Sequence, residues 1–255
     1  GRETGYDVAR ITSSNGWLVQ NSQLNRQYMI THSQNISGRA SLEPMKDLNI
    51  ELTLNRNYAL NSGEFFRWND DVQEFQSQSR METGTLTYST ISFGSAFAKM
   101  GDRLQSPVFE KMRANRAQVS QLLAEKNPNS IGTTGGYANG YGGTQQDVII
   151  GAFLSSYTDA KVNEKGINPV KNIPLPNWNI NYNGLTKYAF MKKYVKNFVI
   201  RHGYSSSVTV GGLQTNLKGQ ADVNGNAIER DQNDNFYVAR NVSNITVSER
   251  FSPLI

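Results

Sequence analysis

The fold is decided by Leu48-Asn-Ile-Glu-Leu-Thr-Leu-Asn-Arg-Asn-Tyr-Ala-Leu60. From Leu48 onward every second residue is apolar except Arg56, and the residues between them are polar except Ala59. Successive side chains of a β-strand point to opposite faces, so this period of two predicts a strand with one apolar and one polar face. At about 3.3 Å per residue the stretch spans roughly 43 Å, which is longer than a typical sandwich strand and enough to cross a bilayer at a tilt.

Segments with the same alternation occur elsewhere in the chain, and together they predict an antiparallel sheet. The predicted strands are 28–43, 48–60, 83–95, 177–185, 196–214 and 236–251. The connection from Glu43 to Asp47 contains a proline and an aspartate, which favour a short turn, so the first two strands are expected to form a hairpin. The apolar parity changes within 83–95 and within 236–251, and each change predicts a β-bulge.

The order of these strands also predicts where the connections lie. When consecutive strands are antiparallel, the connections between them alternate between the two ends of the sheet. The segments 43–47, 97–176 and 215–235 are then expected at one end. The loop 61–82 and the linker 184–195 are expected at the other end.

The region 97–176 differs in composition from the strands and predicts a helical and Gly-rich insertion. Ser106 and Pro107 are typical of the N-cap and first turn of a helix. The run 132–143 is so rich in glycine that we expect a flexible loop there, and 145–157 predicts a second helix. The predicted divisions are strands with the loop 61–82 in 1–96, the insertion in 97–176, and strands in 177–255.

Composition narrows the function classes. The chain has no Cys and only two His, His32 and His202, neither in a metal-binding spacing, so we expect no metal, no cofactor and no enzyme. The 26 Lys and Arg against 21 Asp and Glu include no long basic run, so nucleic acid is not an expected partner. With 28 Asn and 22 Gly, a thick helical core is improbable. No apolar stretch approaches the roughly 18 residues of a membrane-spanning helix.

Alternation by itself fits two architectures. A soluble β-sandwich has an apolar inner face, whereas a transmembrane β-barrel has an apolar outer face and a polar lumen. Aromatic residues near the predicted strand ends favour the barrel, since Trp and Tyr concentrate at membrane interfaces. The smallest single-chain outer-membrane barrels use about eight strands, so the predicted strands would form only part of a barrel wall. The predicted fold class is therefore all-β, with antiparallel strands forming part of a large transmembrane barrel and a helical insertion between strands.

Short segments along nearly the whole chain resemble one known family in order. They are Asn15-Gly-Trp-Leu18, Leu42-Glu-Pro-Met-Lys-Asp-Leu48, Gln146-Asp-Val-Ile-Ile150 with Ala152-Phe-Leu154, Ile173-Pro-Leu-Pro-Asn-Trp178 with Tyr182 and Gly184-Leu185, His202-Gly-Tyr204, and Glu249-Arg-Phe-Ser-Pro-Leu-Ile255. The family is SprA/Sov, the giant outer-membrane translocon of the type IX secretion system in Bacteroidetes. No single segment is specific, but their shared order is.

The resemblance implies an integral outer-membrane location and a very wide barrel that exports folded proteins, including surface adhesins for gliding motility in gliding species. It implies that the chain is a segment toward the C-terminal half of a much longer protein. The implied partners are the rest of the same barrel, a PorV-type lateral-gate barrel, a periplasmic plug, membrane lipid, and cargo carrying type IX C-terminal signal domains.

Two sets of residues carry this functional interpretation. The residues expected to face an aqueous lumen are Asn49, Glu51, Thr53, Asn55, Asn57, Asn177, Asn179, Asn181 and Asn183. The residues expected to face lipid are Ile50, Leu52, Leu54, Trp178, Ile180, Tyr182, Ile200, Val208 and Val210. Uncharged amides hydrate well and present little net charge, so cargo of either sign could pass such a lumen.

The sequence alone also allows two other functional hypotheses. The alternatives are a secreted β-sandwich binding module that stacks a carbohydrate on Trp68, Tyr137 and Tyr141, and part of a nutrient-uptake barrel. The runs that begin at Asp222 and Asp231 place oxygen atoms at alternate positions, but neither has an acidic residue at its twelfth position. We therefore expect Asn-rich turns there rather than calcium sites.

Overall fold

The structure of the chain, a computed structural model, describes residues 8–101, 105–158, 160–196 and 198–252, and most of its regular structure is antiparallel β-sheet. The large sheet contains β1 Tyr28–Met45, β2 Leu48–Asn69, β3 Glu74–Ser89, β6 Asn177–Tyr182, β7 Ile200–Thr215, β8 Arg240–Asn241 and β9 Asn244–Ser252. A separate pair is formed by β4 Thr133–Thr134 and β5 Tyr137–Ala138. The helices are α1 Val8–Ser14, α2 Phe93–Ala96, α3 Pro107–Ala124, α4 Gln146–Tyr157 and α5 Ala189–Lys192.

The first three strands are longer than predicted, and the loop predicted over 61–82 is wrong. β2 continues through it to Asn69, and β3 returns from Glu74 after a turn over residues 70–73. The alternation is hard to recognise in this region because the carboxylate of Glu64 lies on the same face as the apolar residues of β2. Glu64 is buried at 3% exposure and is bound by Arg10 of α1 and by Ser77.

β3 and β6 occupy one line of the sheet rather than two. Both are antiparallel to β2: its residues 56–69 pair with β3, and its residues 48–53 pair with β6. They therefore run in the same direction, end to end. The gap between them is closed by the Leu175 N–H, which donates to the Ser89 carbonyl at 2.9 Å, and by the Ser89 hydroxyl, which donates to the Leu175 carbonyl at 2.7 Å. Residues 90–176 are thus inserted between two strands that together fill one position in the sheet. The order of strands across the sheet is β1, then β2, then β3 and β6 end to end, then β7, then β9.

The predicted placement of the connections is wrong for the same reason. The turn after β1 lies at the same end of the sheet as the linker after β6: the Asn183 N–H donates to the Asp47 carbonyl at 3.0 Å. The turn over residues 70–73 shares the opposite end with the segment 216–239. We call these the Asp47 end and the Asp70 end. The insertion leaves from the middle of the sheet.

The two predicted bulges are also corrected. Apolar parity changes near Ser89 because β3 stops there, and it changes near Ser243 because β8 and β9 are separate strands. A bulge occurs instead in β7, where Leu213 pairs with Gly84 and Val210 pairs with Leu86. Two residues of β7, 211 and 212, therefore lie opposite one residue of β3. Gly212 has a φ of +62°, a left-handed conformation that favours glycine.

Both predicted helices of the insertion are present. The Ser106 hydroxyl accepts a hydrogen bond from the Phe109 N–H at 3.2 Å and caps α3, and the Gln145 side chain caps α4. The glycine-rich run is more ordered than predicted, because Gly135 and Gly136, at φ +59° and +86°, form the turn between β4 and β5.

The insertion packs on the apolar face of the sheet through α4. Ile150 and Leu154 of α4 lie in one core with Leu86, Val208 and Val210 of the sheet. A second core joins α3 to α4, and a third holds the segment 216–239, which we call the strap, against the insertion through Phe236. In the described part of the chain the layer over this face is helical, so a sandwich of two large sheets is not the fold.

No helix among the described residues has the length and apolar character needed to cross a membrane.

Candidate functional surfaces

One face of the sheet is polar except toward the Asp70 end, where the register places Met29, Phe65 and Met81 on it. Asn49 pairs with Asn181, Glu51 with Asn179 and Thr53 with Asn177, so the predicted polar residues of β2 and β6 lie side by side. Asn55 and Asn57 continue this face and pair across β1 with Ser37 and Asn35. Asn183 is the exception, because β6 ends at Tyr182 and Asn183 begins a 3₁₀ turn.

The polar face also carries charges that alternation did not single out. The register places Arg39, Arg201 and Arg250 on it. Arg39 forms an ion pair with Glu51, whereas the other two guanidinium groups are exposed. The face is therefore an amide and hydroxyl surface with a modest positive charge rather than an uncharged one.

The opposite face is apolar. Leu48 pairs with Tyr182, Ile50 with Ile180 and Leu52 with Trp178, and the register continues into Ile200 and Tyr204 of β7. The predicted apolar residues thus share one face. It divides into two parts with different surroundings, which we call the open half, toward the Asp47 end, and the covered half, toward the Asp70 end.

The covered half lies under α4. Leu86 and Val208 are 0% exposed and Val210 is 1% exposed, all in contact with the core that includes Ile150 and Leu154. The prediction that Val208 and Val210 face lipid is therefore wrong. Alternation shows that a face is apolar, but it does not show what covers that face, and here the insertion does.

The open half has no such helical layer among the described residues. On β1, Leu42 is 49% exposed and Met45 57%. On β2 and β6, the residues of this half, including Ile50, Leu52 and Ile180, are half-buried. An apolar surface of this kind, continuous across several strands, is typical of a protein or membrane interface.

An aromatic row marks the boundary between the halves. The rings of Trp178 and Tyr204 stack at 4.6 Å, Phe93 of α2 lies 4.4 Å from Tyr204, and Phe97 lies 5.2 Å from Phe251. These distances join ring centroids. Sequence reasoning missed α2, because the shared parity of Ile91 and Phe93 extended the predicted strand to 83–95; the strand ends at Ser89, and Phe93–Ala96 is helical. Their spacing of four residues, one helical turn, was the available signal.

Immediately beyond the aromatic row the face becomes polar. The Ser92 N–H donates to the Tyr204 hydroxyl at 2.8 Å, and the Ser92 and Ser206 hydroxyls lie 2.8 Å apart. Arg56, 7% exposed, binds Gln34 and donates to the Val170 carbonyl at 2.9 Å. Ser92, Ser206 and Arg56 are thus paired within the protein. The buried Oε1 of Glu249, opposite Ser206, has no hydrogen-bond partner among the described residues.

The Asp47 end carries cations and exposed aromatic rings. Lys187 forms an ion pair with Asp47, with 2.6 Å between Nζ and Oδ1. Tyr188 is 54% exposed, Phe190 65% and Tyr194 77%. Tyr188 and Tyr194 are among the aromatic residues near strand ends that favour a barrel on sequence alone. The lysines interleaved with them were the signal that sequence reasoning missed.

The other candidate residues have structural roles. The Asp222 carboxylate accepts hydrogen bonds from the N–H groups of Asn224 and Asn226, and these bonds lower its pKa. Asp231 closes an equivalent turn, so the prediction of Asn-rich turns is confirmed. His202 is packed, with Nδ1 2.9 Å from the Ser252 carbonyl oxygen. Within the described ranges no group of three or more His, Asp or Glu side chains forms a metal-binding cluster.

The aromatic platform of the rival binding module is not formed. Tyr141 is 8% exposed, packs on Phe236 and accepts a hydrogen bond from Asn127 at 3.1 Å. Burial raises the pKa of this tyrosine. Trp68 packs instead on Phe75 near the Asp70 end, with 5.3 Å between ring centroids. A buried ring cannot stack on a sugar.

A scan against protein-family models returned no match, and a search among curated proteins returned no relative. The geometry of the two faces is therefore the main basis for a functional conclusion.

Proposed function

We propose that the chain forms part of the wall of an outer-membrane protein-conducting β-barrel of the type IX secretion kind. The observation that carries the proposal is the opposition of the two faces beside the Asp47 end: there one side of a long antiparallel sheet is polar, and the other side is the apolar open half. A barrel wall needs this combination, with water on one side and lipid on the other.

The aromatic residues that limit the open half support a lipid-facing role. Between its limiting rows, those of Leu48 and Leu52, the strand rises about 13 Å at 3.3 Å per residue, so the open half covers about half of the roughly 25 Å apolar band of outer-membrane barrels. Aromatic residues lie at both limits: Trp178 and Tyr204 on one side, and Tyr182 with the linker aromatics on the other. Trp and Tyr prefer this depth because their rings are apolar and their polar atoms reach water. The insertion then lies beyond the membrane, on the outer side of the wall.

The free edges of the sheet support its being part of a larger wall. Among the described residues, β1 pairs only with β2, and β9 pairs only with β7. Unpaired backbone groups of an edge strand in hydrocarbon cost several kcal/mol each, so further strands of the same barrel must continue the sheet.

On this proposal the polar face lines the protein-conducting lumen. Its amides and hydroxyls hydrate well, and its charged groups are few, so a folded cargo protein does not bind it strongly. The partners implied by the resemblance, a PorV-type barrel, a periplasmic plug and cargo with type IX signal domains, belong to the proposal in the same way.

The test is export from cells whose translocon carries Asn49, Asn57, Asn179 and Asn181 replaced together by Leu. We expect reduced release of type IX cargo with a normal amount of the protein in the outer membrane, because the lumen loses its hydration. The matched control replaces the same four residues by Ser, which keeps the surface polar and is expected to export normally. Normal export by the Leu variant would contradict the lumenal assignment.

A further inference from the structure

We propose that the Asp47 end of the sheet binds the phosphate-bearing headgroups of an anionic lipid surface. This inference rests on the proposed function, since it assigns the chemistry of the membrane layer at one limit of the open half. The segment that carries it is residues 184–196, which holds the 3₁₀ turn Gly184–Lys187 and α5. We call it the basic linker.

The basic linker carries only positive formal charge. Its cations are Lys187, Lys192, Lys193 and Lys196, and Lys46 lies in the adjoining turn. The sequence contains no Asp or Glu from residue 165 to residue 221. The carboxylates of the adjoining turn are Asp47, which forms an ion pair with Lys187, and Glu43, which accepts a hydrogen bond from the Asp47 N–H. These two acids face five lysines, so the end of the sheet keeps a net positive charge. A surface of this sign attracts phosphate groups.

The basic linker also exposes aromatic rings rather than packing them. Tyr188, Phe190 and Tyr194 are all more than half exposed, and none lies in a hydrophobic core. The Tyr188 and Phe190 rings lie 6.1 Å apart, and the Lys193 ammonium lies 5.7 Å from the Tyr194 ring centroid. Lysines interleaved with exposed aromatics are typical of segments that lie in the headgroup layer.

The position of the linker fixes where those lipids would be. It begins directly after Tyr182, which pairs with Leu48 and with Ile200 in the last row of the open half. The Asn183 N–H and Lys187 both bind Asp47, which fastens the start of the linker to the turn between β1 and β2. The cations therefore continue the apolar surface at the point where hydrocarbon would give way to headgroups. A lipid surface fits this arrangement, because a free phosphate ion would make no use of the adjoining apolar half.

The experiment measures binding of the chain to vesicles of phosphatidylcholine alone and of phosphatidylcholine mixed with phosphatidylglycerol. We expect the unmodified chain to bind the anionic vesicles at least about tenfold more tightly at low salt, and this preference to fall as salt screens the lysines. The test variant replaces Lys192, Lys193 and Lys196 by Gln and keeps the Lys187–Asp47 pair. The matched control replaces Lys111, Lys161 and Lys165 of the insertion, which are exposed and change the net charge equally.

The anionic preference should be lost in the linker variant and kept in the control, with both variants showing the circular dichroism of the unmodified chain. Equal binding of the unmodified chain to both vesicle types would overturn the headgroup inference while leaving the barrel proposal intact. An equal loss of preference in both variants would overturn it too, because total charge would then suffice. Failure to bind either vesicle would count against the proposed function itself.

Discussion

The open and covered halves of the apolar face have the same sequence pattern but different surroundings. Leu52 and Val208 both lie at apolar positions of an alternating strand, and the sequence predicts that both face lipid. In the structure Val208 lies at 0% exposure beneath α4, whereas Leu52 is half-buried in the open half, over which no helix of the described residues packs. Period-two alternation therefore determines which side of a strand is apolar, whereas a segment distant in sequence determines whether that side contacts protein.

The two halves should respond differently to substitution, and the largest effect is expected in the covered half. Leu154→Ala removes a 0% exposed side chain of α4 from the core that contains Leu86 and Val208. We expect a loss of about 2–5 kcal/mol in the free energy of unfolding, measured by denaturant titration, because a cavity remains. Ile149→Ala, on the partly exposed side of the same helix, serves as control and should cost much less. Equal losses would mean that α4 does not cover the sheet as described.

Introducing a charged side chain tests a different property of the open half, its contact with lipid. Ile50→Arg, in the middle row of the open half, should cost about 2–4 kcal/mol of membrane stability. The measurement is the fraction of protein that folds into vesicles across a urea titration. Asn49→Arg, one residue away on the polar face, should fold into vesicles normally. Normal folding of the Ile50 variant would show that the open half does not meet lipid.

The boundary row can be tested by removing one hydroxyl. Tyr204→Phe keeps the ring that stacks on Trp178 but removes the acceptor of the Ser92 N–H. An unpaired buried N–H costs about 1–3 kcal/mol, so we expect a loss in that range and faster amide hydrogen exchange at Ser92. Tyr182→Phe, at the other limit of the open half, is the matched control. Unchanged exchange at Ser92 would contradict the described pairing.

The smallest effect is expected in the insertion and depends on pH. Hydrogen bonds from Lys171 and Lys126 lower the pKa of Glu164 from its ordinary value of 4.5 to about 2. A depressed folded-state pKa stabilises the fold above about 4.5 and ceases to do so as pH falls toward 2. The melting temperature of Glu164→Gln should therefore lie slightly below that of the unmodified chain at pH 7, and the difference should shrink at lower pH. A difference that grows on acidification would contradict the sign.

Much of the strand pattern was predictable from sequence, because apolar and polar residues alternate over Leu48–Leu60 without a change of parity and the neighbouring strands show the same alternation. The end of β2 and the start of β3, between residues 61 and 82, could not be predicted. There the carboxylate of Glu64 lies on the apolar face and breaks the pattern, and its charge is neutralised by Arg10, which is distant in the sequence. Nor could the collinearity of β3 and β6 be predicted. Two strands that share one line of a sheet look, in sequence, like two separate strands.

The candidate surfaces were predictable to the same extent. The polar set and the apolar set lie on opposite faces, apart from Asn183, because the register preserves parity from strand to strand. The covering of Val208 and Val210 depends on where α4 packs, and nothing in their own strand encodes it. The aromatic row depends on α2, whose residues were predicted as the end of the strand 83–95.

The most direct test of the central claim uses the absence of native cysteine. A fluorescent label is attached at Leu52→Cys, at Thr53→Cys and at Ile149→Cys, and the labelled chains are reconstituted into vesicles containing brominated lipid, which quenches fluorescence on contact. The account predicts strong quenching at position 52 and little at positions 53 and 149. Little quenching at position 52, or equal quenching at all three, would contradict it.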